Sequence, residues 1–255
     1  MDNATDYPLL VFVLSFFVLS LSALIGASFL RRQRKLEEDV REDLGFILAA
    51  ALTLLGLIIG FSFSMAMSRY DQRKNYEAAE TNAIGTEYVR ADLLPASDGA
   101  KVRTLLRNYL DQRVLFYMTR DEQQVRQINA RTAQLQTELW SAVLAPAAAQ
   151  QTPTVALAVS GMKDVLNSQA YTQAAWWNRI PIAAWALMAT IAICCNMLVG
   201  YGAQNVKAEG ILILILPLLV AIAFFLIADI DSPHGGVIHV HPQNLASLAE
   251  SLRAL

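Results

Sequence analysis

The sequence predicts an all-α, polytopic membrane protein, with four transmembrane helices and a helical-bundle insert between the second and third. Three observations predict it. Of the 255 residues, 55% are hydrophobic and only 16% are Asp, Glu, Lys or Arg, against roughly a quarter charged in a soluble domain. Four runs stay apolar over the roughly 20 residues that a membrane-crossing helix needs. Between the second and third stands a polar stretch, 69–179, with 13 Lys/Arg and 11 Asp/Glu, long enough to be a domain. The composition excludes a disordered chain. A net charge of −2 supplies no basic excess for a nucleic-acid partner. The two cysteines, Cys194 and Cys195, are adjacent and cannot staple a fold.

The first hairpin, 1–68, holds spans at about 8–30 and 44–68, both uncharged. No Lys or Arg precedes the first span, and Arg31, Arg32, Arg34 and Lys35 follow it. A cleaved secretory signal carries its basic residues on the other side, so this reads as an uncleaved span with its N-terminus outside. Lys/Arg bias in the short loops 31–43 and 202–209 makes both cytoplasmic and places the insert on the outer face. Arg69, Arg73 and Lys74 at the far end of the second span blur that signal.

The insert, 69–179, reads as helical. From 70 to 94 there is no Pro and one Gly, so the second span continues as one long helix until the break at Pro95-Ala96-Ser97-Asp98-Gly99. Val102, Leu105, Leu106, Tyr109 and Leu110 recur at helical spacing, as do Val125, Ile128, Leu135, Leu139 and Val143. Residues 145–152 are rich in small side chains and read as a loop. Thr152-Pro153 is an N-cap followed by proline at the first helical position, opening a helix with Val155, Val159, Met162 and Val165 on one face. Trp176-Trp177 mark a membrane interface. The second hairpin, 180–228, holds spans at about 180–201 and 210–228, the latter with Pro217 as a possible kink. The last segment, 229–255, reads as a turn, a short strand over 237–241, and a short amphipathic helix carrying Leu245, Leu248, Ala249 and Leu252. That helix lies on the membrane interface or against the bundle.

The second span carries Gly56-Leu57-Ile58-Ile59-Gly60-Phe61-Ser62-Phe63, followed by Arg69-Tyr70-Asp71-Gln72-Arg73. Then comes Glu80-Thr81-Asn82-Ala83-Ile84-Gly85-Thr86-Glu87-Tyr88-Val89-Arg90-Ala91-Asp92-Leu93-Leu94-Pro95. With the C-terminal Asp229-Ile230-Asp231-Ser232-Pro233 and Gly236-Val237-Ile238, this resembles the bestrophin-like domain family of bacteria. The resemblance implies a four-span protein, distantly similar to the pentameric bestrophin anion channels, whose pore is lined by the second span. It carries over no settled activity. It also implies a cytosolic insert, opposite to the charge reading, and both orientations stay open here.

Gly45, Ala49, Thr53, Gly56, Gly60 and Ser64 fall three or four apart on one side of the second span. Such a ladder serves close packing against another span. Alternatively it lines a pore in an oligomer, with Phe61, Phe63 or Met67 as an apolar constriction. The spans lack internal charge, which disfavours proton-coupled transport. Past the membrane, Arg69, Asp71, Arg73, Glu77, Glu80, Asn82, Glu87, Arg90 and Asp92 form either a solvated face or a vestibule. Arg73 and Glu77 stand at pairing distance, and Asn82 and Thr86 suit helix–helix hydrogen bonds. His234, His239 and His241 with Asp229 and Asp231 are the one metal-like cluster. No second ligand pair supports it, so no metal is expected and the segment reads as an exposed tail. No phosphate-loop, nucleophile-elbow, His-Glu-x-x-His or Cys-x-x-Cys motif occurs, so neither catalysis nor a cofactor is expected. The expected function is that of an oligomeric ion channel in the inner membrane, with the lipid bilayer, further copies of itself and small inorganic ions as partners. The alternative is a membrane-anchored sensing or scaffold protein acting through its bundle.

Overall fold

The computed structural model describes residues 7–30, 38–149, 152–203, 210–233 and 235–254. In chain order the elements are α1 (Pro8–Ile25) with a π-helical turn (Gly26–Leu30), α2 (Glu38–Arg90) with a 3-10 turn (Ala91–Leu93), α3 (Ala96–Met118), α4 (Glu122–Ala149), α5 (Pro153–Trp177), α6 (Ile182–Gly202), α7 (Gly210–Asp231) and α8 (Gln243–Arg253). Among the described residues there is no strand. Four helical stretches are long and apolar enough to cross a membrane. The chain divides into two compact units, one of Met1–Arg69 with Arg179–His239 and one of Tyr70–Asn178 with Val240–Leu255.

In the membrane unit α1 packs on α6 and α7. The contact with α6 is backbone on backbone. A Cβ at Gly26 would collide with the Met197 carbonyl, and one at Gly200 with the Ala23 carbonyl. Helices in lipid gain little from apolar burial against each other, so close approach at small residues is what holds such a pair. Two buried polar side chains of the spans close on their own helix. Ser22 Oγ donates to the Leu19 carbonyl and Asn196 Nδ2 to the Ala192 carbonyl, both at 2.8 Å, because lipid offers no partner. α7 continues as a helix through the buried Pro217.

The bundle unit buries the residues that the spacing marks. Val102, Leu106, Tyr109 and Leu110 of α3 meet Leu135, Leu139 and Val143 of α4 and Val155, Met162 and Val165 of α5 in one apolar core. Thr152 Oγ1 accepts the Val155 N–H at 3.3 Å, the expected N-cap. Aromatic rings close one end of the core, with Trp176 edge-on to Phe116 at 4.9 Å and to Tyr117 at 5.5 Å.

Three expectations are corrected. Residues 145–149 are helix and not loop, because α4 runs to Ala149 with Pro146 buried inside it. Its alanines favour helix strongly enough to carry the proline near the end. The strand over 237–241 does not form. The N–H groups of Val237 and Ile238 both donate to the Asp229 carboxylate at 2.8 Å, so they have none left for a ladder. The segment is not an exposed tail throughout, since Asp229 and Asp231 are each 2% exposed, while Val237, Ile238 and His241 are exposed. α8 lies against the bundle through Leu245, Ala249 and Leu252.

Candidate functional site

The second span is the span least covered by its own chain. Its most apolar window is 6% buried, against 22% for α1 and 39% for α7. A Cβ at Gly45, Gly56 or Gly60 meets nothing within 4 Å among the described residues. Ser64 and Phe63 are exposed and Met67 is half-buried. Among the described residues the small-residue ladder is therefore not packed against another span, whereas Gly26 and Gly200 lie against the backbone of a neighbouring helix. α2 turns a different face inward, where Leu55, Ser62 and Ala66 are buried. That face lies about a third of a turn from the ladder. At the start of α2, Leu44, Gly45 and Leu48 border a cavity of about 360 Å³ together with Val199, Gly202 and Leu212. Among the described residues its lining is apolar.

At the other end of the membrane unit, the second span, the start of the third and the end of the fourth are tied through Asp231. Its carboxylate accepts the Ile180 N–H at 3.1 Å and faces Arg69 Nη1 at 3.6 Å. Asp229 holds the following turn, and Gly236 lets that turn close, since a Cβ there would strike the Asp229 carbonyl. Ser232 Oγ accepts the Gly235 N–H at 3.1 Å. The C-terminal motif is thus a structural knot in which both aspartates are occupied by backbone amides. Among the described residues no group of three metal-ligating side chains exists; His239 Nδ1 lies 3.0 Å from the Val237 carbonyl, and His234 lies outside the described residues.

In the bundle unit the charges of α2 turn inward. Arg73, Glu77, Glu80 and Glu87 are buried, which corrects the reading of them as a solvated or vestibule-lining face. Glu80 meets Arg113 of α3, with Nε to Oε1 at 2.5 Å and Nη2 to Oε2 at 3.4 Å, and accepts Thr172 Oγ1 of α5 at 3.2 Å. Burial works against the Arg113 charge, but the Glu80 carboxylate outweighs it and raises the pKa. Burial first, then the same carboxylate, pushes the Tyr109 and Tyr117 hydroxyls up. Glu77 caps α8, accepting the N–H groups of Asn244 at 3.0 Å and Leu245 at 2.9 Å, and Asn244 Nδ2 at 2.6 Å. A carboxylate at a helix N-terminus satisfies donors that the helix leaves open. The expected Arg73–Glu77 pair gives way to this cap.

Glu87 is fully buried and faces Gly161 of α5 beside Arg90, which is half-buried. Asp71, Asn82, Thr86 and Asp92 are exposed, so Asn82 and Thr86 do not make the buried hydrogen bonds their spacing suits. Asp92 pairs with Arg103 of α3. Spacing on one helix could not reveal Arg113, Thr172 or the α8 amides as partners.

This arrangement of helices has relatives. The bestrophin-like domain family matches residues 12–245. The chain belongs to the bestrophin-like family. Solved structures share its fold across nearly the whole chain. A crystal structure of a bacterial bestrophin homologue from Klebsiella pneumoniae, with a tryptophan-to-alanine substitution, is similar at a TM-score of 0.64 and 13% identity, covering 100% of this chain and 97% of that one. A leucine-to-threonine variant of a Klebsiella pneumoniae homologue gives 0.62 and 13%, covering 97% and 98%. A membrane protein with a leucine-to-alanine substitution gives 0.61 and 14%, covering 95% and 97%. At such identity the fold is what is shared. No curated protein matches the chain. For this bestrophin-like protein the quoted family residues divide in two. Arg69, Arg73, Glu80, Glu87, Asp229 and Asp231 lie inside the framework, while Gly56, Gly60, Asp71 and Asn82 lie on open surface.

Proposed function

We propose that this bestrophin-like protein assembles as a homo-oligomer in a bacterial inner membrane and conducts small inorganic ions, without enzymatic activity. The open face of α2 lines the path. Gly56, Gly60 and Ser64 give it width, Phe63 and Met67 form its apolar constriction, and Asp71 and Asn82 lead out of it into the extramembrane domain of 69–179. The observation that supports this reading is the open space around Gly45, Gly56 and Gly60, on a span that its own chain covers least. An uncharged helix face suits a passive conduit better than a pump.

Two measurements test it. The mass of the purified protein in nanodiscs is expected to be that of a closed ring, which supplies an axis for a pore. In liposomes, Gly60→Leu and Ser64→Leu are expected to cut ion flux severalfold. A monomer, or flux unchanged by both substitutions, overturns the pore reading. Orientation is tested by labelling Ser97→Cys in a chain lacking Cys194 and Cys195, since Ser97 is exposed. We hold to the charge reading, with N-terminus and bundle outside, which expects labelling in intact cells. Labelling only after lysis overturns it in favour of the bestrophin arrangement.

A further inference from the structure

We propose that Glu87 is a proton-operated catch between α2 and α5, closed while its carboxyl group is neutral and released when that group ionises. Its side chain is fully buried, and neither oxygen accepts a hydrogen bond among the described residues. The slot that holds it exists because residue 161 is glycine; a Cβ there would collide with Glu87 Oε2 and with the Arg90 guanidinium. A carboxylate in such a slot has lost water and gained no donor, so the neutral acid is the form that fits.

The charged groups acting on Glu87 are Arg90, three residues on in α2, and Asp164, three residues beyond Gly161 in α5. Lys163 is exposed, and Asp92 is taken by Arg103. Burial raises the Glu87 pKa from 4.5 to about 8, with Arg90 pulling it down and Asp164 pushing it further up. Around neutral pH the acid is protonated and α2 seats against Gly161. As pH rises through about 8, the proton leaves to solvent and the bare carboxylate is left without a hydrogen-bond donor among the described residues, the exposed Asp164 adding repulsion to its loss of hydration. It regains hydration only if the two helices part at this level. α2 is one helix from Glu38 to Arg90, so the release acts on the helix that carries the conducting face. In that respect the inference rests on the pore reading.

The sign for stability follows from linkage. The unfolded chain gives up this proton near 4.5 and the folded chain near 8. Stability therefore falls as pH rises across that interval and levels off above it.

The test uses the full chain in nanodiscs. Infrared difference spectra of wild type are expected to show a protonated carboxyl band that disappears with a midpoint near 8, the ratio of forms changing about tenfold per pH unit. The band is expected to be missing in Glu87→Gln. Asp164→Asn is expected to lower the midpoint and Arg90→Gln to raise it. Hydrogen exchange in 84–93 and 155–165, corrected for intrinsic rates, is expected to quicken above the midpoint in wild type and not in Glu87→Gln. Absence of the band well below the midpoint, or equal pH dependence of exchange in wild type and Glu87→Gln, overturns the catch. Because these readouts need no ion flux, failure of flux at every pH sinks the pore reading and leaves the catch standing. Flux with no pH response in exchange does the reverse.

Discussion

Between Leu55 and Ala66, α2 turns Leu55, Ser62 and Ala66 inward and leaves Leu54, Leu57, Phe61 and Phe63 exposed. Between Arg73 and Glu87, the same face of the same helix turns Arg73, Glu77, Glu80 and Glu87 inward. Nothing in the local helix geometry differs; the surroundings do. In the membrane half, apolar side chains outside cost nothing against lipid, so burial does not sort residues by polarity there. In the bundle half, two of the inward carboxylates persist because distant elements answer them, Arg113 and Thr172 for Glu80 and the start of α8 for Glu77, whereas Glu87 accepts no hydrogen bond among the described residues. The bundle half is therefore a polar framework that is vulnerable to losing any one member, while the membrane half tolerates change on its open side.

The largest break in that comparison is expected from Arg113→Ala. It strands Glu80 in the interior and should cost about 3–5 kcal/mol, read by denaturant unfolding of the detergent-solubilised protein. Replacing both partners, Glu80→Leu with Arg113→Met, should recover most of that loss, because an apolar pair of similar volume needs no compensation. Next comes Gly200→Ala. Its new methyl meets the Ala23 carbonyl and should cost about 1–3 kcal/mol, read as a lowered Tm. Glu77→Ala removes the cap of α8 and should cost about 1–2 kcal/mol, with faster hydrogen exchange confined to Gln243–Arg253. The smallest effect is expected from Gly56→Ala, which enters open space and should change stability by about 0.5–1 kcal/mol in the stabilising direction. Equal losses in Gly56→Ala and Gly200→Ala would erase the contrast between the open and packed glycines.

The spans were legible because apolar length is a local property, and so was the run of α2 beyond the membrane, where no proline interrupts it. The fate of its charges was not. Arg113, Thr172 and Asn244 stand 33, 92 and 167 residues from the carboxylates they meet, and no spacing rule reaches that far. The small-residue ladder was legible as a pattern, but its place was not. Gly56, Gly60 and Ser64 face open space, whereas the helix crossing rests on Gly26, flanked by Ala23 and Ala27, and on Gly200, two residues before Gly202. The segment over 237–241 misled because Val237, Ile238 and Val240 carry β-forming side chains. Asp229 had already claimed the amides of Val237 and Ile238.

The crossing of α1 with α6 also sets a timetable. α1 ends at Ile25 and α6 begins at Ile182, so the partner is made roughly 160 residues later. At about 5–20 residues per second the ribosome leaves α1 waiting on the order of ten to thirty seconds. During that interval neither the Met197 carbonyl nor α7 exists to hold it. α1 must enter and stay in the bilayer on its own apolar length, and not one charged side chain interrupts it.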